Sequence, residues 1–239
     1  MLSQVILEAI SDMPDPVFIK VHFGRSGLVN SHLDPTIFQG LLKERECCFV
    51  DTNTLYGGER SDSQRHHALA LKHGFSPCKI ISDVCLQGTV VNAAHITGHN
   101  IMGLGACIKN IAMGLATATE KAWVHGANVR YDAGKLTTDT IPTGKKEAQA
   151  YRLGYMAARI EKRIPSMFHI AIADEITRTC DCMGSTETRE VLIKDDWYAS
   201  GETSLYVDKI VWSRYKDILS AFYKPSVVKA QFDGYNYER

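Results

Sequence analysis

The chain has 239 residues, 45% hydrophobic and 23% charged, enough to bury a large core in one domain without disulfide staples. Its 27 basic residues are balanced by 27 acidic ones, so no domain-wide positive field exists to hold a nucleic-acid backbone, and nothing favours an acidic or membrane partner. No apolar run approaches the ~20 residues of a membrane helix, no signal-peptide pattern opens the chain, and the seven cysteines do not form a secreted framework; the expectation is a cytoplasmic protein with reduced thiols.

In the opening segment Val5, Ile6 and Ile10 share one stripe, which predicts a short amphipathic helix. Val17 to Phe23 (VFIKVHF) is the first core strand. Asp34-Pro35 supplies an N-cap and an N1 proline for a helix to about Arg45. Residues 47–51 (CCFVD) form a second buried strand ending on Asp51. Asp62 caps a helix that runs to His73 and stops at Gly74. Lys79 to Asp83 and Gly88 to His95 are two further Ile- and Val-rich strands.

Gly103 to Thr119 is a helix whose first part, given its glycines, is open to being a loop. Residues 126–146 read as an exposed loop. Lys145 to Lys162 is a helix, 167–173 a strand, Val191 to Ile193 another, Leu205 to Phe222 a long closing helix, and 231–239 a frayed tail. Strand and helix patterns alternate. This predicts a single compact α/β domain over residues 1–239, with a largely parallel or mixed sheet flanked by helices.

Chemistry concentrates between His95 and His125. Gly98, Gly103 and Gly105 loosen a stretch that carries His95, His99, Lys109 and Asn110, and glycine N–H groups before a helix start can cradle an anion. Histidine titrates near neutrality and ligates metals, and lysine is a point charge for a carboxylate or phosphate. The bland reading is that such histidines only bond to their own turns. There is no P-loop, no His-Glu-x-x-His and no GxGxxG. Asp51 sits at the carboxyl end of a strand, where open α/β sheets place ligand groups. Arg60 can fork a carboxylate or ion-pair within its loop, and His22 lies pocket-side or is a satisfied strand-end residue. His66 and His67 are neighbours on a helix, so at most one points inward. His169 reads as core or surface. Cys180-x-Cys182 is either a soft-metal pair or two free thiols.

The ordered residues His95-Ile-Thr-Gly-His99, Gly103, Gly105, Lys109-Asn110, Met113-Gly114, Lys121 and His125 resemble the signature of domain-of-unknown-function family 362. Lys20-Val-His-Phe-Gly24, Asp51 to Arg60, His73-Gly-Phe75, Tyr151-x-x-Gly154 and Cys180-Asp-Cys182 follow the same order. Residues 126–150 contain no cysteine, so the ferredoxin-type iron–sulfur insert of many such proteins is excluded. The family's Ser-x-Asp-Pro pattern is degraded to Ser200-Gly-Glu202-Thr203, and Cys107 is the small residue before the Lys motif. The run from His99 to His125 is also similar to the cofactor-binding segment of the lactate racemase family. That likeness implies an acid/base at His99, a nickel-pincer nucleotide on Lys109 and a nickel ligand at His125.

Two functional expectations result. The first is an enzyme performing His/Lys-based, metal-assisted or metal-free proton transfer on a small anionic metabolite, by isomerisation, epimerisation or decarboxylation. His99, Lys109 and His95 are its candidate catalytic residues. Asp51, Arg60, His22, Gly103, Gly105 and Asn110 would bind substrate, and His125, Cys180 and Cys182 would hold a transition metal. The alternative is a non-catalytic metal- or iron–sulfur-related carrier. The cofactor is unknown and an oligomer is left open.

Overall fold

The computed structural model describes residues 2–28, 31–82, 86–99, 101–126, 129–132, 135–138, 146–164, 166–177, 188–190, 198–200 and 225–236. Strands β1 (Val17–Lys20), β2 (Cys47–Thr52), β3 (Cys78–Ile81), β4 (Thr89–His99) and β8 (Met167–Thr177) build a parallel sheet in the order β3-β2-β1-β4-β8. An antiparallel edge strand, β10 (Tyr198–Ser200), lies outside β8, and the short β9 (Thr188–Glu190) also pairs with β8. This is the α/β architecture expected from the alternating pattern.

Each face of the sheet is covered by helices. On one side α1 (Leu2–Ala9), α2 (Gln39–Glu44) and α3 (Ser63–Lys72) enclose Ile6, Ile10, Ile19, Leu41, Phe49, Ala70 and Phe75. On the other, α4 (Cys107–Gly114), α5 (Ala118–Val124), α6 (Lys146–Arg163) and α7 (Pro225–Asn236) enclose Val50, Val90, Ile96, Ile108, Ile111, Leu153 and Tyr235. Helix starts follow the sequence signals. The Asp62 side chain accepts from Arg65 N at 3.0 Å, and Thr117 with Glu120 forms a capping box on α5.

The structure corrects several expectations. Residues 35–45 form a 3-10 turn (Pro35–Phe38) followed by the short α2. β4 continues past His95 to His99, because Gly103–Gly105 folds back as an antiparallel strand, β5, against Thr97–His99. Gly103 and Gly105 are hairpin backbone rather than part of a helix or loop. Gly103 adopts φ +72°, and an added Cβ would strike the Val228 side chain. The 126–146 stretch contains a two-stranded ribbon, β6 (Val129–Asp132) with β7 (Lys135–Thr138).

Residues 231–236 of the expected frayed tail belong to α7, where Gln231, Phe232 and Tyr235 are buried. Gly154 of α6 and Gly234 of α7 let the two helix backbones approach so closely that a Cβ on either would collide with the other's main chain. Gln231 Nε2 donates to the carbonyls of Met102 and Leu104, tying α7 to the β5 hairpin. The strand expected at Val191 to Ile193, the helix at Leu205 to Phe222, and Cys180 and Cys182 lie outside the described residues.

Candidate functional site

Chain order reverses direction across the sheet between β1 and β4, and the carboxyl ends of these strands splay around a crevice. A cavity of about 430 Å³ occupies this place. Lys20, His22, Asp51 and Thr52 enter from the ends of β1 and β2; His95, Thr97 and His99 alternate along β4; Lys109, Asn110, Lys121 and His125 come from α4 and α5. Ala93, Ile101, Met102, Ala106 and Met113 supply apolar wall.

The floor is an ion pair. Lys20 Nζ lies 3.2 Å from Asp51 Oδ1, and the side chains are 1% and 5% exposed. The ammonium also donates to Val21 O at 2.7 Å and to Asn110 Oδ1 at 2.8 Å, so its three protons are all committed. Burial would raise the Asp51 pKa, but Lys20, His66, His22 and Arg60 outweigh it and hold the carboxyl well below its usual range. His66 Nε2 stands 3.7 Å from Asp51 Oδ2, and burial lowers the His66 pKa to about 4, leaving it neutral. Helix α4 passes so close that a Cβ on Gly114 would overlap the Lys20 amine. That is the physical reason for glycine there.

A second lysine shares this floor on different terms. Lys121 is 3% exposed, and its Nζ donates to Thr52 Oγ1 and to Asn53 O. Burial lowers its pKa to about 8; Asp51 opposes the shift, while Lys20 and Arg60 add to it. A neutral amine keeps two N–H groups, so both protein bonds survive loss of the third proton. Lys121 can therefore exchange a proton without disturbing its anchorage.

Around the mouth, Arg60 donates to His22 Nε2, and His22 Nδ1 lies 3.0 Å from Ser31 O and 3.1 Å from Gly24 N. The Tyr56 hydroxyl and His125 Nε2 are 2.6 Å apart, although half the tyrosine faces solvent. Burial, then Lys109, Arg152 and Lys121, lower the His125 pKa to about 4. His99 Nδ1 accepts from Ile101 N at 3.2 Å and Met102 N at 2.9 Å, leaving its hydrogen on Nε2. Burial and then Lys109, His125 and Lys146 push the His99 pKa down. All three histidines at issue, His66, His99 and His125, are neutral near pH 7.

Among the described residues that line the cavity are four cationic side chains, Lys20, Arg60, Lys109 and Lys121, and one carboxylate, Asp51, paired with Lys20. The family model described as Domain of unknown function (DUF362) matches residues 46–200, well over half the chain. The chain belongs to the DUF362 family. No curated protein and no solved structure matches it, and the lactate racemase likeness rests on the quoted residues alone. The DUF362 match begins at β2, so β1 with Lys20 and His22 lies outside the matched span, as does α7.

In this DUF362 protein the cavity gathers His22, Asp51, Arg60, His95, His99, Gly105, Lys109, Asn110 and His125 of the expected site residues. Gly103 is not among the lining residues and packs on α7. Asn110 is turned to structure: its Nδ2 reaches Lys20 O, Asn92 Oδ1 and Ala93 O. Lys20, Tyr56, His66 and Lys121 were missed as site residues. Lys121 and Tyr56 sat inside the quoted family motifs, and Lys20 opened one, so the signal existed. Cys180 and Cys182 fall outside the described residues, and among those described no group of three His, Cys, Asp or Glu side chains is placed to hold a metal ion.

Proposed function

We propose that this DUF362 protein is an enzyme that binds a small anionic metabolite in the switch-point cavity and moves a proton beside its anionic group. The carrying observation is that, among the described residues, four cationic side chains and one carboxylate, itself paired with Lys20, line the cavity. An anion entering this cavity meets lysine and arginine side chains in surroundings where water screens poorly. Arg60 and Lys109 are the anion contacts, the former as a planar fork and the latter as a point charge.

Lys121 is the acid/base. Its pKa of about 8 lies near working pH, as proton transfer requires. His99 acts as a neutral Nε2–H donor to charge that develops on the substrate, because its Nδ1 is occupied by two backbone amides. This reassigns the acid/base role expected of His99 while keeping it at the reacting centre.

A panel of small carboxylates and phosphate, titrated by calorimetry beside uncharged compounds of equal size, tests this reading. At least one anion should bind saturably, and Lys109→Met should weaken it about tenfold, which is ~1.4 kcal/mol. Deuterium from D2O should then enter the carbon beside its carboxylate only with Lys121 present. Absence of any anion binding, or binding indifferent to Lys109→Met and Arg60→Met alike, contradicts the proposal.

A further inference from the structure

We infer that Lys121 is an amine nucleophile that captures the carbonyl carbon of a 2-oxo acid as an imine. The inference rests on the anion-binding reading above and names its substrate class. It gives Lys121 a covalent role in place of direct proton abstraction, so that the exchangeable hydrogen of a 2-oxo acid lies on the carbon next to the imine carbon. The two floor lysines differ in what their nitrogens have left to offer. Lys20 holds Val21 O, Asn110 Oδ1 and Asp51, so deprotonation would break its salt bridge and strip a buried carboxylate of its partner. Lys121 holds only Thr52 Oγ1 and Asn53 O, two acceptors that a neutral amine satisfies in full. Its remaining valence is a lone pair, in a side chain that lines the cavity.

A cation fixed beside an amine favours the neutral, nucleophilic form. Lys20 is such a cation and is itself locked in place by Asp51. The carboxylate of a 2-oxo acid would sit on Arg60 or Lys109, presenting its carbonyl to the amine.

In the step itself the Lys121 lone pair adds to the carbonyl carbon and the C=O π pair moves to oxygen, which takes up a proton. One nitrogen proton follows to that oxygen, which leaves as water, so amine plus carbonyl plus one proton gives a protonated imine plus water, with no oxidant or reductant. A protonated imine retains one N–H, enough for one of the two anchoring acceptors. The Tyr56 hydroxyl, 2.6 Å from His125 Nε2, is the cavity acid that serves the departing oxygen.

The test is reductive trapping of the whole chain with pyruvate or glyoxylate and cyanoborohydride, followed by peptide mapping. We expect one adduct per chain on Lys121, formed at least tenfold faster than on any other lysine. Its rate should rise with pH to half-maximum near 8. Lys121→Arg, which keeps charge and donors, should lose that adduct while still binding the anion. Adducts spread over the lysines without preference for Lys121 overturn the imine. If small anions still bind in a Lys109-dependent way, the proton-transfer reading survives that result; if they do not, both fall together.

Discussion

Lys20 and Lys121 show how hydrogen-bond arithmetic divides two residues of one type. Burial lowers the pKa of both. Three commitments, one of them to Asp51, hold the Lys20 ammonium in a salt bridge, whereas Lys121 has two acceptors that a neutral amine can also satisfy. Replacing Lys20 by Met keeps much of the volume but leaves Asp51, 3% exposed, as a buried charge short of its main partner. The expected loss is ~3–5 kcal/mol in urea unfolding, partly recovered in the double variant with Asp51→Asn. In the sequence Lys20 sits in VFIKVHF, where Val17, Ile19 and Val21 alternate inward. A lysine out of phase with that stripe reads as a solvent-facing position. Only the tertiary placement of α4, whose Gly114 lets the amine pass, turns that face into interior.

A directed hydrogen-bond chain joins the elements beneath the cavity. Lys20 donates to Asn110 Oδ1, Asn110 Nδ2 to Asn92 Oδ1 at 2.8 Å, and Asn92 Nδ2 to His169 Nδ1 at 2.9 Å. His169 Nε2 donates to Glu161 Oε1 at 3.2 Å, and Tyr235 closes the chain on the other Glu161 oxygen. Every donor points from the cation in β1 towards the carboxylate on α6, so each link orients the next. Asn92→Ala should cost ~2–3 kcal/mol by stranding the Asn110 amide and His169, read as a lowered urea midpoint with unchanged slope. The elements of this chain were mostly legible, since β1, β2, β4, β8 and α6 carry strong periodicity. α7 was not. Its polar, glycine-bearing end looks like a tail, and its burial depends on Gly154 and Gly234 meeting across two helices, which no local pattern records. The β5 hairpin escaped for a similar reason, because a three-residue strand of which two are glycine carries no strand period.

At the scale of the whole molecule, zero net charge conceals a local field. Twenty-seven acids and 27 bases cancel over the chain, while the described lining of the switch-point cavity holds four cationic side chains and one carboxylate. The location of the site was readable from Asp51 at a strand end, because a parallel sheet must open its crevice at the carboxyl ends. The identity of its reacting groups was not. His99 and His125 draw attention by residue type, whereas burial holds both neutral and brings the pKa of Lys121, the proposed acid/base, down to about 8. Competitive acylation of the folded chain across pH 6–11, with Lys121 followed by peptide mass, measures that titration directly. The account predicts half-maximal reactivity near pH 8, moving upward when a bound small anion offsets the neighbouring cations. Reactivity rising only near the ordinary value of 10.5, with no response to any anion, would contradict it.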